Sequence, residues 1–171
     1  SHLGRPTEGS TEDKYSLEPV SEYLSEILDE PVSLEKDISN AEIFKSGPRV
    51  KVLENIRFYK GEKTNSSELG KNLGLLGDVY VFDAFGTSHR KQASTYEAII
   101  QSKESCAGFL LKNEVEALNK SLQSPPKPNL AIIGGAKVSS KLGLINNLKD
   151  KTDFIIVGGG ITNTFLKASG Y

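Results

Sequence analysis

Arginine and histidine side chains in three separate loops could together bind an anion. His2 and Arg5 lie in the opening loop, Arg57 follows one short apolar run, and His89 and Arg90 follow another. The planar guanidinium group binds carboxylates and phosphates through paired hydrogen bonds. Each of these side chains taken alone is more often a solvated charge or a satisfied polar residue. Their shared position after apolar runs instead favours a site for a small anionic metabolite.

Two glycine turns form a second candidate site, whose chemistry suits phosphate. Residues 134–136 (GGA) follow an apolar run and lead to Lys137 and Lys141, and residues 158–160 (GGG) follow a later run. Glycine lets backbone amides and a helix N-terminus approach a phosphate, and lysines four apart share one face of a helix. A nucleotide or a transferring phosphoryl group fits this pattern. Neither turn has the Walker A or the dinucleotide spacing, so a purely structural role stays open.

The apolar pattern predicts the elements that position these groups. Short apolar runs predict buried strands at 50–53, 78–82, 130–133 and 154–157. Helical spacing predicts amphipathic helices after Ser16 and at 67–76, 95–101, 114–122, 139–148 and 162–168. This alternation predicts the α/β class, with a parallel sheet covered by helices on both faces. Ligands bind beyond the carboxyl ends of such strands, where both candidate sites lie.

Composition and charge exclude several classes of partner. Lys plus Arg number 21 and Asp plus Glu number 22, so the formal net charge of −1 gives no reason to expect nucleic acid or an anionic membrane. No apolar run approaches the roughly 20 residues that span a bilayer. Cys106 is the one cysteine, so no internal disulfide can form and we expect a cytoplasmic location.

Five sequence motifs resemble those of phosphoglycerate kinases and occur in the order that this family has. They are SHLGRP at 1–6, LENIRF at 53–58, DAFGTSHR at 83–90, GGAKV at 134–138, and GGG at 158–160 with TFLK at 164–167. The resemblance extends over the whole chain. It implies two Rossmann-like, three-layer αβα domains joined by a long helix. Residues 1–122 would be the 3-phosphoglycerate-binding domain, ending in the interdomain helix, and residues 123–171 the start of the nucleotide-binding domain.

The resemblance also implies an activity and assigns residues to it. The reaction is reversible phosphoryl transfer from 1,3-bisphosphoglycerate to ADP, giving 3-phosphoglycerate and ATP, with Mg that arrives with the nucleotide rather than on dedicated ligands of this chain. The implied substrate-binding residues are His2, Leu3, Gly4, Arg5, Arg57, His89 and Arg90. The implied nucleotide-binding residues are Gly134, Gly135, Ala136, Lys137, Lys141, Gly159 and Gly160. Catalytic roles fall to Lys137, on the transferring phosphoryl group, and to Arg57 and Arg90.

The resemblance further implies segments outside this sequence. Family members have a substrate-binding strand and a catalytic arginine upstream of residue 1, and they continue beyond Tyr171. We therefore expect a gap in the first sheet and no activity of this chain alone, and we expect the enzyme to be a monomer. Two alternatives stay open, namely another α/β enzyme that binds nucleotides or sugar phosphates and a non-catalytic fragment.

Overall fold

The chain folds into two units, residues 1–112 and 113–171, in a computed structural model that describes residues 1–39, 41–123, 125–136 and 138–171. The dividing position lies within the helix Phe109–Gln123 (α4), which contains the predicted interdomain helix 114–122. The domain boundary that we predict after residue 122 stays a prediction.

The first unit is built from parallel strand pairs and short helices. Its helices and strands are, in chain order, α1 (Glu18–Leu28), β1 (Val32–Glu35), β2 (Val50–Leu53), α2 (Ser67–Gly74), β3 (Val79–Phe82), α3 (Ala98–Gln101), β4 (Glu104–Ala107) and the start of α4. A π-helical turn, Ala93–Glu97, runs directly into α3. Strand β1 pairs with β2 and strand β3 pairs with β4, and both pairs are parallel. The parallel α/β class predicted from the sequence is confirmed.

The two strand pairs of the first unit are separate sheets with a cavity between them. The cavity has a volume of about 510 Å³, and Leu53 of β2 lines it together with Tyr80 and Phe82 of β3. Beside β2, the backbone N–H of Ile56 donates to the carbonyl of Ser1 at 3.0 Å, so the opening loop lies along the carboxyl end of this strand. A buried apolar cluster holds the surrounding helices in place; it consists of Ile38, Ile56, Leu69, Leu73, Ala93 and Ala98.

Strands β1 and β4 were not predicted from the sequence. Val32–Glu35 alternates apolar and polar residues beside further acidic ones, and Glu104–Ala107 has no apolar run, with all four residues exposed. Each strand forms because a neighbouring strand supplies its hydrogen-bond partners, β2 for β1 and β3 for β4.

The second unit pairs two parallel strands beneath two helices. Its elements after α4 are β5 (Leu130–Gly134), α5 (Leu142–Leu148), β6 (Phe154–Gly158) and α6 (Gly160–Ala168). Helix α6 packs against β6, and Ile161 in its first turn is fully buried. Burial of these strands differs from the prediction, since alternate side chains are exposed, namely Leu130, Ile132, Phe154 and Ile156. No helix in the described ranges is long and apolar enough to cross a membrane.

Candidate functional site

The opening loop and Arg57 are held together by direct hydrogen bonds. Arg57 lies in a 3₁₀ turn, Ile56–Phe58, directly after β2, and its Nη1 donates to the carbonyl of Gly4 at 2.5 Å. Gly4 has φ +62°, and a Cβ there would stand 2.3 Å from the Tyr15 ring, so only glycine lets the loop take this path. The first two arginine loops predicted from sequence are therefore in contact.

Mutual repulsion shows that the cations of all three loops lie close together. Burial lowers the pKa of Arg57, and the positive charges of Arg90 and Arg5 lower it further. The pKa of His2 is also lowered, first by burial and then by Arg57, the Ser1 amine and Arg90. A bound anion would relieve this repulsion, so the cluster has the electrostatics of a carboxylate or phosphate site.

The loop with Arg90 is fixed by a buried carboxylate that the sequence analysis did not select. Glu62 is 2% exposed, and its carboxylate accepts from the Ser94 backbone N–H at 3.0 Å and from the Ser94 hydroxyl at 2.6 Å. Burial raises the pKa of Glu62, although both Ser94 hydrogen bonds oppose the increase. The Thr95 hydroxyl donates to the Arg90 carbonyl at 2.7 Å. The start of the π-helical turn thus anchors the backbone of Arg90.

The remaining predicted residues of this site have different positions. Leu3 is 45% exposed, and its carbonyl accepts from the side chain of Asn55. Arg5 and His89 are exposed and Arg90 is half-buried, and none of the three lines the cavity, which His2 and Arg57 do line. The structure therefore brings His2, Arg5, Arg57 and Arg90 together, and the substrate roles of all seven residues stay predictions.

Sequence analysis also missed the buried pair Glu54 and Asn55, which are 3% and 0% exposed. Both lie within the LENIRF string, and a polar pair directly after a strand resembles an ordinary loop. Their position could have indicated a role, because functional groups gather at the carboxyl ends of parallel strands.

The two glycine turns of the second unit pack directly against each other. A Cβ on Gly159, which has φ +71°, would stand 3.2 Å from the carbonyl oxygen of Gly135. A Cβ on Gly160 would be 3.3 Å from Ala136 Cα, and the Ile161 N–H donates to the Gly135 carbonyl at 3.0 Å. Any side chain at these positions would force the turns apart, so the glycines are needed for the close approach.

Lys141, beside the first of these turns, does not lie within the helix that the sequence predicts. Helix α5 begins at Leu142, whereas the sequence predicts a helix over 139–148. The backbone N–H groups of Lys141 and Leu142 both donate to the Val138 carbonyl, which forms a turn before the helix. Lys141 still lies at the first glycine turn, since its Cε is 3.8 Å from where a Gly135 Cβ would stand. Lys137 lies outside the described residues.

Gly134, also predicted to bind nucleotide, pairs with Gly158 at the last position of the β5–β6 register. Both glycine turns thus leave neighbouring strands at the same edge of the sheet. A search for metal ligands over the described ranges finds no group of three or more His, Cys, Asp and Glu side chains that could hold an ion.

A family model described as phosphoglycerate kinase matches residues 1–171, the whole chain. The chain belongs to the phosphoglycerate kinase family. It is 53% identical over 171 residues to a phosphoglycerate kinase of Francisella tularensis subsp. novicida, and 53% identical over 172 residues to one of Desulfovibrio desulfuricans. All of this chain is matched in each comparison, and it spans 43% of the length of these curated relatives.

Solved structures of the family show the same fold. The phosphoglycerate kinase of Coxiella burnetii is similar with a TM-score of 0.83 and 50% identity, covering 99% of this chain and 43% of that one. The enzyme of Pyrococcus horikoshii is similar with a TM-score of 0.69 and 33% identity, covering 99% of this chain and 44% of that one. The open parallel arrangement is therefore that of phosphoglycerate kinases.

Proposed function

We propose that this chain is part of a phosphoglycerate kinase that transfers a phosphoryl group reversibly from 1,3-bisphosphoglycerate to ADP. The observation that carries the proposal is the cation cluster of the first unit, in which Arg90 and Arg5 lower the pKa of Arg57 by repulsion. Membership of the phosphoglycerate kinase family supports the identity of the anion as a phosphorylated glycerate.

In the proposed substrate site, arginine side chains from separate loops bind the carboxylate and phosphate of 3-phosphoglycerate. Arg57 and Arg90 would form charge-assisted hydrogen bonds to these groups, with His2 and Arg5 completing the positive field. A cluster held before the substrate arrives loses little freedom on binding, which favours both affinity and orientation.

In the proposed nucleotide site, the packed glycine turns receive ADP or ATP. Without side chains at Gly135 and Gly159, the nucleotide could approach the backbone of the turns, and Lys141 beside the first turn would bind its phosphates. Lys137 would stabilise the phosphoryl group during transfer, where negative charge develops. Mg²⁺ would arrive with the nucleotide. The described residues do not form a metal site of their own.

We further propose that the complete enzyme is a cytoplasmic monomer and that this chain alone is inactive. The single exposed thiol, Cys106, is compatible with a reducing compartment. Inactivity is expected because the chain spans 43% of the length of its curated relatives.

Binding of 3-phosphoglycerate to two arginine variants of the complete enzyme with this sequence tests the substrate site. Arg57→Ala should weaken binding by about 1.5–3 kcal/mol, because a hydrogen bond between charged groups is lost; this corresponds to roughly 10- to 150-fold in Kd. Isothermal titration calorimetry measures the change.

Arg49→Ala is the matched control. Arg49 is exposed, pairs with Glu30 and directly precedes β2, at the end opposite Arg57. The Arg49→Ala variant should bind 3-phosphoglycerate like the unaltered enzyme. Equal affinities of the Arg57 and Arg49 variants would show that the anion site lies elsewhere.

A further inference from the structure

Asn55 is the buried side chain that joins the separate parts of the cation cluster. It is 0% exposed and directly follows β2. Its Nδ2 donates to the Leu3 carbonyl at 2.8 Å and to the Tyr15 carbonyl at 2.9 Å, while its Oδ1 accepts from the Arg57 backbone N–H at 3.1 Å. One amide therefore connects the opening loop, the turn before α1 and the turn with Arg57.

The pattern of partners requires an amide. Leu3 and Tyr15 present carbonyl oxygens, which only accept hydrogen bonds, and Arg57 presents an N–H, which only donates. Two donors on one side of the side chain and an acceptor on the other satisfy all three groups. A carboxylate would place two oxygens against two carbonyls, and an aliphatic side chain would remove the partner of all three groups.

A second buried residue fixes the orientation of Asn55. Glu54 Oε1 accepts from the backbone N–H of Asn55 and from that of Leu17, each at 2.8 Å. Glu54 Oε2 accepts from the Ser16 hydroxyl at 2.8 Å. The backbone of Asn55 is thus tied to the start of α1, so its side chain is presented in one direction.

The cation cluster needs such an internal connection because its members repel one another. Leu3, Gly4 and Arg5 are exposed, so packing contributes little to holding the opening loop. Without a tether, the repulsion that lowers the pKa of His2 and Arg57 would favour a more open loop. The Asn55 amide opposes that movement from inside the unit, out of contact with solvent.

We propose that Asn55 is a positioning residue of the anion site: its buried amide sets the spacing between the loop with His2 and Arg5 and the turn with Arg57. Asn55 would not touch the anion itself. The identity of the anion as 3-phosphoglycerate rests on the function proposed above, whereas the positioning role rests on the hydrogen bonds alone.

Two measurements on Asn55→Ala in the complete enzyme with this sequence test the role. Affinity for 3-phosphoglycerate should fall about tenfold or more, because the cations are no longer held at one spacing. In NMR titrations of the folded enzyme, the pKa of His2 should rise, since His2 moves away from Arg57 and Arg90 and becomes more solvated. The His2 signal is assigned as the one that a His2→Gln variant lacks.

Two further variants show whether the changes in affinity and in the His2 pKa come from loss of the Asn55 amide. Asn55→Ser retains one hydroxyl donor and should give a smaller change of the same sign in both measurements, even where Asn55→Ala fails to fold. Tyr59→Phe is the matched control, because it removes one side-chain hydrogen bond of the same unit, from the Tyr59 hydroxyl to the Lys36 carbonyl at 2.8 Å. It should leave the affinity and the His2 pKa unchanged.

The possible outcomes separate the positioning role from the proposed function. A purely structural Asn55 would lower the stability of the variants without moving the His2 pKa of the folded chain, and that result would overturn the inference. Serine and alanine variants that bind 3-phosphoglycerate like the unaltered chain would also overturn it. A complete enzyme with this sequence that does not bind 3-phosphoglycerate would refute the proposed function, while the His2 pKa would still test the role of Asn55.

Discussion

Replacing Glu54 by glutamine should destabilise the first unit, because this carboxylate is buried and accepts three hydrogen bonds. It is 3% exposed and accepts from the N–H groups of Leu17 and Asn55 and from the Ser16 hydroxyl, each at 2.8 Å. Hydrogen bonds to a charged group contribute about 1.5–3 kcal/mol and neutral ones about 0.5–1.5 kcal/mol. Glu54→Gln weakens all three hydrogen bonds, and the lower cost of burying a neutral amide offsets part of this effect. The free energy of unfolding should therefore fall by about 1–3 kcal/mol.

The destabilisation caused by Glu54→Gln should be larger at neutral pH than at acidic pH. Burial on its own would raise the pKa of Glu54, but the three hydrogen bonds outweigh it, so the pKa is lowered in the folded chain. A lowered pKa means that the carboxylate stabilises the fold above its unfolded pKa, and that this contribution disappears as the pH falls through the folded value. The difference between the unaltered chain and Glu54→Gln should thus be full at pH 7 and should shrink as the pH falls below the unfolded pKa of glutamate, about 4.3.

Urea unfolding followed by circular dichroism at several pH values measures this difference. Glu22→Gln is the matched control, since it makes the same chemical change at an exposed position of α1. Its effect should stay within about 0.5 kcal/mol at every pH. The reasoning is refuted if Glu54→Gln equals Glu22→Gln at pH 7, or if its effect is the same at both ends of the pH range.

Two other predictions concern helix α4 and the lysines of the proposed nucleotide site. Asp83 Oδ1 accepts from the Leu111 N–H in the first turn of α4 at 2.7 Å, so Asp83→Ala should lower the free energy of unfolding by about 1 kcal/mol, as loss of a helix cap does; an unchanged urea midpoint would contradict this. In the complete enzyme with this sequence, Lys137→Ala should lower kcat by roughly a hundred- to a thousand-fold with little change in nucleotide KM. Lys141→Ala should mainly raise nucleotide KM, and equal, small effects in steady-state kinetics would return both lysines to a solvent-exposed role.

The sequence by itself determined the elements with strong local patterns. Continuous apolar residues bounded by charged or turn residues predicted β2, β3, β5 and β6 to within one residue at each end. Buried parallel strands need such runs, so this signal is local and readable. The glycine turns after β5 and β6 were equally visible, because a close backbone approach excludes side chains.

Only the tertiary structure decided which weaker segments became strands and where the helix after Lys141 begins. Strand β4 (Glu104–Ala107) is fully exposed and forms because β3 offers it a parallel edge. Lys141 lies in the turn that precedes α5 and not in the helix, although its spacing of four residues from Lys137 predicted a helical position. Neither outcome is encoded in the local apolar pattern.

The scaffold of the anion site was also decided by tertiary structure. Arginine after a strand could be recognised from the sequence, but the residues that hold the arginine loops together could not. The hydrogen bond from Asn55 to Leu3 joins positions 52 residues apart, and those from Ser94 to Glu62 join positions 32 apart. A local pattern reports periodicity within a single element, whereas such bonds exist only once the chain has folded and brought distant polar groups into the same buried space.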